Sequence, residues 1–189
     1  MNSDKEKLER IINQLSDKDK KWFALYTKYK CEKYVADSLC KKGIEAYVPL
    51  ISKTKRFTRK VKHYEVPLIN CYVFVYIDKS QYIPSLETEY VMKFLKQGKD
   101  LLAIPNEEIN ILKRVSGEII EAVSLGEYCF ESGEEVEIIS GHLTGMKGRV
   151  IDKTGKRHFV VDLQTIGYQL RIQVDSSLLQ PTETKHLIA

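Results

Sequence analysis

The sequence predicts an α+β protein in two parts: an antiparallel or mixed sheet with helices packed on it, and then a small five-stranded β-barrel. In the first part, strand-like runs alternate with two stretches of helical character. Beyond residue 130, short β runs follow one another between turn sequences, and helical periodicity disappears. A chain of 189 residues, 43% of them hydrophobic, is long enough for two small cores.

The first part, residues 21–117, is interpreted as one domain behind a polar extension of residues 1–20. The extension carries apolar side chains at the spacing of a short amphipathic helix: Leu8, Ile11, Ile12 and Leu15. The elements that follow are a strand at 22–27, a helix within 30–43, a strand at 44–50, a basic hairpin or loop at 52–65, strands at 68–77 and 90–96, and a helix within 104–117. Gly43 and Gly117 stand where the two helices should end, and Pro105 stands near the start of the second.

The run LINCYVFVYI, residues 68–77, has two apolar faces instead of one. Its alternate positions are aliphatic or cysteine on one side and aromatic on the other: Cys71, Val73, Val75 and Ile77 against Tyr72, Phe74 and Tyr76. If helices cover only one side of the sheet, the aromatic side is a binding surface, because Phe and Tyr are favoured interface anchors. If both sides are covered, these residues belong to the core. Periodicity alone slightly favours the core.

The second part is predicted as a linker at 118–130, a barrel at 131–182 and a tail at 183–189. The β runs are EEVEII, KGRVID, HFVVDL, YQLRIQV and SSLLQP. Closure into a barrel removes the exposed edges that such short strands would otherwise leave. Its core is expected to be drawn from Val136, Ile138, Val150, Val160 and Leu170.

A basic run between the second and third strands is the main electrostatic feature of the sequence. Six cations fall within ten residues: Lys53, Lys55, Arg56, Arg59, Lys60 and Lys62, with Phe57 and Tyr64 within or beside them. Cations neutralise phosphates and aromatic rings stack on unpaired bases, so nucleic-acid binding is one interpretation. A solvated hairpin tip is the other, and the run itself favours neither.

Residues 1–129 carry a net charge of +5 and the rest −1, which suggests different partners for the two parts.

Several function classes are disfavoured. No apolar run approaches the length of a membrane helix, and the charged N-terminus lacks the apolar core of a signal peptide, so a cytoplasmic, reduced protein is expected. The four cysteines at 31, 40, 71 and 129 and the scattered histidines lack zinc-site spacing, so neither a metal nor another cofactor is expected. The sequence contains no recognisable nucleophile motif or phosphate loop, and an enzyme is not predicted.

The two parts together resemble one family. The run from KKWFALYTKYK to YVPL, the basic loop, EVPLINCYVFVYI, YVMKFLKQGK and IPNEEI resemble the N-terminal (NGN) domain of NusG-type transcription elongation factors. SGEEVEIISGHLTGMKGRVID resembles their C-terminal KOW domain, with Gly141, Gly145 and Gly148 at the motif glycines. The likeness covers residues 21–182. The motif residues are more similar to those of the specialised RfaH and UpxY-type antiterminators than to those of housekeeping NusG.

This resemblance implies a function in transcription elongation and antitermination, at specific operons. The N-terminal domain would bind the β′ clamp helices of RNA polymerase through an aromatic depression that contains Tyr72 and Phe74 and is bordered by Tyr26, Leu68 and Phe94. It would also reach the opposite lobe of the polymerase cleft, near residues 83–85. Lys28 matches a basic position near non-template DNA, and the basic run lies where that strand or upstream DNA can be reached.

The KOW domain would recruit a ribosomal protein or Rho, as a barrel, and the protein is expected to be a monomer. The chain departs from the family just before the aromatic strand, where Ile69, Asn70 and Cys71 replace Phe-Pro followed by Gly or Asn. The competing hypothesis is an RNA-binding or ribosome-associated KOW protein, in which the basic run is the main site and the aromatic strand is core.

Overall fold

The computed structural model describes residues 14–115, 120–124, 133–153 and 156–182. Most of the expected N-terminal helix, much of the predicted linker and the C-terminal tail lie outside these residues. The chain divides into two compact units. The first contains the described residues of 1–49 and 69–109, and the second contains residues 50–68 with the described residues of 110–189.

The first unit is built on a four-stranded antiparallel sheet with the strand order β2-β5-β1-β6. Its strands are β1 (Lys21–Thr27), β2 (Glu45–Tyr47), β5 (Tyr72–Ile77) and β6 (Val91–Phe94), and its helices are α1 (Glu32–Lys41) and α2 (Tyr82–Leu86). The small pair β7 (Lys96–Gln97) and β8 (Asp100–Leu101) follows β6. Helix α3 (Asn106–Arg114) begins just after Pro105, with acidic residues in its first turn and basic residues in its last, which suits the helix dipole.

The core of this unit lies on one face of the sheet. The aliphatic side of β5 meets the odd-numbered side chains of β1, and Val35 and Leu39 of α1 pack in the same cluster. Those two helical residues are four positions apart and therefore share one side of the helix. Gly43 follows α1 with φ +74°, a left-handed conformation that glycine adopts without steric cost.

Residues 50–67 form an antiparallel hairpin of two eight-residue strands, β3 (Leu50–Phe57) and β4 (Lys60–Pro67). Thr58 and Arg59 make the turn. The basic run is therefore ordered as a β-ribbon, one of the two forms that the sequence predicted.

The second unit also contains an antiparallel sheet with the strand order β14-β10-β11-β12-β13-β9. The strands are β9 (Ile120–Ser124), β10 (Glu134–Ile138), β11 (Lys147–Lys153), β12 (Lys156–Leu163), β13 (Tyr168–Ile172) and β14 (Leu179–Pro181). Val136, Ile138, Val160 and Leu170 are buried as expected, whereas Val150 is half-buried.

The predicted α+β fold class is confirmed, and so is the β-rich second part. Two details differ. The expected strand at 44–50 shortens to β2, because the chain leaves it before Pro49 to begin the hairpin. The predicted linker contains β9, which pairs with the edge of β13 and adds a sixth strand to the sheet. The domain boundaries at 117 and 131 stay predictions. Within the described residues, no helix is both long enough and apolar enough to cross a bilayer.

Candidate functional site

The aromatic face of the first unit's sheet is arranged in three rows that run across the strands. The first row is Tyr72, Tyr26 and Lys93, on β5, β1 and β6. The second contains Tyr47, Phe74 and Ala24, and the third contains Glu45, Tyr76 and Trp22. Because antiparallel partners on one face lie about 5 Å apart, each row is a contact group, and the rows differ in exposure.

The central row is buried at Phe74 and Ala24 and half-buried at Tyr47. Phe74 and Ala24 have 0% of their surface exposed, and the Phe74 ring lies 6.4 Å from that of Tyr47. Burial raises the pKa of the Tyr47 hydroxyl to about 12, because the charged phenolate is poorly solvated there. The expectation that Phe74 lies on an exposed binding surface is therefore wrong. A ring without accessible surface holds the face together and cannot itself contact a partner.

The first row opens into a depression of about 580 Å³, which we call the tyrosine depression; it is lined by Tyr26, Tyr72, Lys93, Phe94, Leu95, Lys96 and Gly98. The rings of Tyr26 and Tyr72 are half-buried and meet edge to face, 5.6 Å apart and at 80°, a favoured geometry for aromatic pairs. The Lys93 ammonium lies 5.8 Å from the centre of the Tyr26 ring, within cation–π range. The depression thus combines aromatic surface with positive charge.

The tyrosine depression is supported by a constrained turn just before β5. Cys71 has φ +65°, a left-handed conformation that costs a non-glycine residue about 1–2 kcal/mol. Its backbone N–H donates to the Glu32 carboxylate at 2.7 Å, and its carbonyl accepts the Thr27 N–H at 2.8 Å. Burial and the nearby Glu32 charge raise the pKa of the Cys71 thiol. Glu32 is 98% buried, so it fixes this turn from inside and thereby positions Tyr72.

Two other residues that were expected to border the depression, Phe94 and Leu68, do not contribute exposed surface to it. Phe94 lies in its wall, but its ring stacks on Tyr82 at 4.8 Å and meets Phe23 edge-on at 6.5 Å. With 2% exposure it supports the wall from the core side. Leu68 is buried at the end of the segment that contains the hairpin and is not among the residues that line the depression.

Lys28 lies at the end of β1 in an exposed aromatic group that the sequence did not reveal. Its ammonium is 5.7 Å from the centre of the Tyr90 ring, which contacts the Tyr34 ring at 5.3 Å. Tyr34 donates to the Glu89 carboxylate at 2.8 Å, and this bond to a charged acceptor raises the pKa of Tyr34. Tyr29 beside them is 63% exposed. Tyr90 comes from a segment far from Tyr29 and Tyr34 in the chain, so no sequence window showed all three together.

Tyr76 and Trp22, in the third row, line a second and smaller depression of about 400 Å³. Their rings lie 5.2 Å apart. Lys20, Lys21, Ile104 and Pro105 also line this second depression. Tyr76, which had no assigned role in the sequence analysis, therefore lies outside the lining of the tyrosine depression. Among the described residues, no group of three His, Cys, Asp or Glu side chains could hold a metal ion.

Comparison with protein families gives one match. Residues 20–113 match the NusG family, described as "Transcription termination factor nusG". Over these residues, which make up just under half of the chain, the chain is similar to the NusG family. The matched family consists of transcription factors.

A solved structure shares the fold. A structure described as "Domain interaction in Thermotoga maritima NusG" aligns over 87% of this chain and 98% of its own, with a TM-score of 0.54 and 21% identity. An MjSpt4:Spt5 complex aligns over 85% of this chain and 97% of its own, with a TM-score of 0.30 and 19% identity. The search of curated proteins gave no match.

The structure of the second part explains the three glycines of the predicted KOW motif. Gly141 and Gly145 have φ of +84° and +80° in the loop after β10, where other residues would be strained. Gly148 has a different constraint, because a Cβ there would lie 2.4 Å from the Val160 carbonyl oxygen and 2.7 Å from the Phe159 ring. Two glycines therefore serve the loop, and the third allows close approach of β11 and β12.

Proposed function

We propose that this chain is a transcription elongation and antitermination factor that binds the β′ clamp helices of RNA polymerase through the tyrosine depression. The observation that carries the proposal is the open, half-buried pair of Tyr26 and Tyr72 beside Lys93 and Lys96, inside the region that is similar to the NusG family. Tyrosine presents a large apolar surface with a polar tip, which makes it a frequent anchor at protein interfaces.

The chemistry of the depression suits the tip of a helical hairpin. Apolar side chains of the partner can pack against the two tyrosine rings. The ammonium groups of Lys93 and Lys96 can meet carboxylates or the free carbonyls at a helix C-terminus, which carry partial negative charge. Phe74 and Phe94 take part only by holding the sheet and the wall in place.

The proposed mechanism is selective binding without chemistry. A factor that binds the closed clamp more tightly than the open one shifts the population toward the closed state, and about 1.4 kcal/mol of preference gives a tenfold shift. Pausing or termination that requires clamp opening is then suppressed. A second contact with the opposite lobe is proposed near residues 83–85, where Ile83 is 52% exposed but Ser85 is buried.

Lys28, the hairpin and the KOW domain are proposed to make the other contacts of the factor. Lys28 and the hairpin lysines would contact non-template or upstream DNA, and the KOW domain would recruit a ribosomal protein or Rho. The factor would act as a cytoplasmic monomer at specific operons.

A pull-down of core RNA polymerase by the full-length chain tests the proposal. The wild-type chain is expected to retain polymerase, and the Tyr26→Ala/Tyr72→Ala variant is expected to lose it while staying folded. Tyr64→Ala removes a tyrosine on the hairpin, outside the depression, and is the matched control. If the double variant binds as well as the control, or the wild type does not bind, the proposal fails.

A further inference from the structure

The hairpin β3–β4 has two chemically different faces, which its strand register defines. Four cross-strand pairs share one face: Ile51 with Val66, Lys53 with Tyr64, Lys55 with Lys62, and Phe57 with Lys60. We call this the lysine face. The alternate pairs point to the other side: Ser52 with Glu65, Thr54 with His63, and Arg56 with Val61. Of the six cations in the basic run, four therefore lie together, Arg56 lies opposite them, and Arg59 is in the turn.

The lysine face concentrates charge in a way that is unfavourable for the isolated hairpin. Lys55 and Lys62 are direct cross-strand partners, and like charges in such positions destabilise a sheet. The face contains no acidic residue, whereas the other face contains Glu65 and a hydrogen bond between Thr54 and His63 of 2.9 Å. A bound polyanion would remove this repulsion. The charge pattern therefore favours an anionic partner on one face only.

The dimensions of the ribbon suit a double helix. Lysines two residues apart on one strand are separated by about 7 Å, which equals about two base-pair steps at 3.4 Å each. Eight-residue strands make a ribbon about 27 Å long. The major groove of B-form DNA admits a two-stranded β-ribbon, whereas that of A-form RNA is too deep and narrow for side chains to read.

We propose that the lysine face of the hairpin binds the phosphates of duplex DNA, and that the opposite face does not. The ribbon lies along the groove with Lys53, Lys55, Lys60 and Lys62 on the phosphates. Phe57 and Tyr64 flank the lysines on the same face, and the Lys55 ammonium lies 5.2 Å from the centre of the Phe57 ring. Contacts of this kind carry no sequence information, so binding should be independent of sequence. The inference deepens the proposed function, since it names the form of DNA and the surface that holds it.

The test compares two double variants of the full-length chain that have lost the same charge. Lys53→Gln/Lys55→Gln removes two cations from the lysine face, and Arg56→Gln/Arg59→Gln removes two from elsewhere on the hairpin. Binding to a random DNA duplex of about 20 base pairs is measured over a range of salt concentrations. Four phosphate contacts predict a slope of log affinity against log salt near −3.6, and the lysine variant should lose about 1.8 of it. Its affinity should fall at least about tenfold, and that of the arginine variant less than about twofold.

Each other outcome overturns the inference. Equal losses in both variants would show that net charge, and not the face, governs binding. Tighter binding of an RNA duplex or single-stranded DNA of the same length would assign a different ligand, and absence of DNA binding by the wild type would remove the site. The polymerase pull-down with the lysine variant separates the two proposals. Retained polymerase binding with lost DNA binding is expected, and failure of polymerase binding by the wild type overturns only the proposed function.

Discussion

Replacing Phe74 by alanine should unfold the first unit at much lower denaturant concentration without removing any contact surface. Phe74 has no exposed surface and packs 6.4 Å from Tyr47 between the two outer rows of the face. Truncation of a buried phenylalanine costs about 3–5 kcal/mol, through lost transfer free energy and the cavity left behind. Since whole domains are stable by about 5–15 kcal/mol, this loss is a large fraction of the total. Phe74→Leu, which keeps most of the volume, should cost less than about 2 kcal/mol.

The single tryptophan makes the measurement specific to this unit. Trp22 is the only tryptophan of the chain, is 6% exposed and lies 5.2 Å from the Tyr76 ring on the same face. Its fluorescence during urea unfolding therefore reports on the sheet that contains Phe74. The midpoint of Phe74→Ala should fall by on the order of 2 M urea. A loss below about 1 kcal/mol would refute the buried position.

Three further predictions follow from single residues. Cys71→Gly should stabilise the first unit by about 1 kcal/mol in the same assay, because glycine adopts φ +65° without strain. A loss of stability would show that packing of the Cys71 side chain contributes more than the backbone strain costs. Gly148→Ala should lower the thermal midpoint of the second unit, followed by circular dichroism, because its Cβ would lie 2.4 Å from a carbonyl oxygen; an unchanged midpoint would contradict that close approach. The pKa of Tyr47 is raised to about 12 from 10.0, so the first unit should be fully stabilised below pH 10 and lose about 1–2 kcal/mol between pH 10 and 12. Tyr47→Phe should lack that part of the loss, and identical pH profiles would contradict the assignment.

The sequence predicted the elements of the fold because they depend on local patterns. Alternation in residues 68–77 identified a strand with two apolar faces, and the glycine after residue 42 marked a helix end that the structure confirms. Alternation could not show which rows of the aromatic face are covered. Tyr72 and Phe74 have the same parity in the sequence, yet one lines an open depression and the other is fully buried.

Long-range pairing explains what the sequence could not supply. The basic run was visible as six cations, but its division into two faces depends on which residue of β3 pairs with which of β4. Likewise, Tyr34 and Tyr90 lie in separate segments and meet only because the chain brings the ends of β1 and β6 together. Burial and register are properties of the tertiary structure, and both decide which side chains are available to a partner.

Photo-crosslinking from the tyrosine depression identifies the part of RNA polymerase that it contacts. A photoreactive phenylalanine analogue is placed at Tyr72 in the full-length chain, and at Tyr64 in a matched control, and each protein is irradiated with core RNA polymerase. The adduct from position 72 is expected to map to the β′ clamp helices, and the adduct from position 64 is not. Crosslinks from position 72 to another part of the polymerase, or none at all, would contradict it.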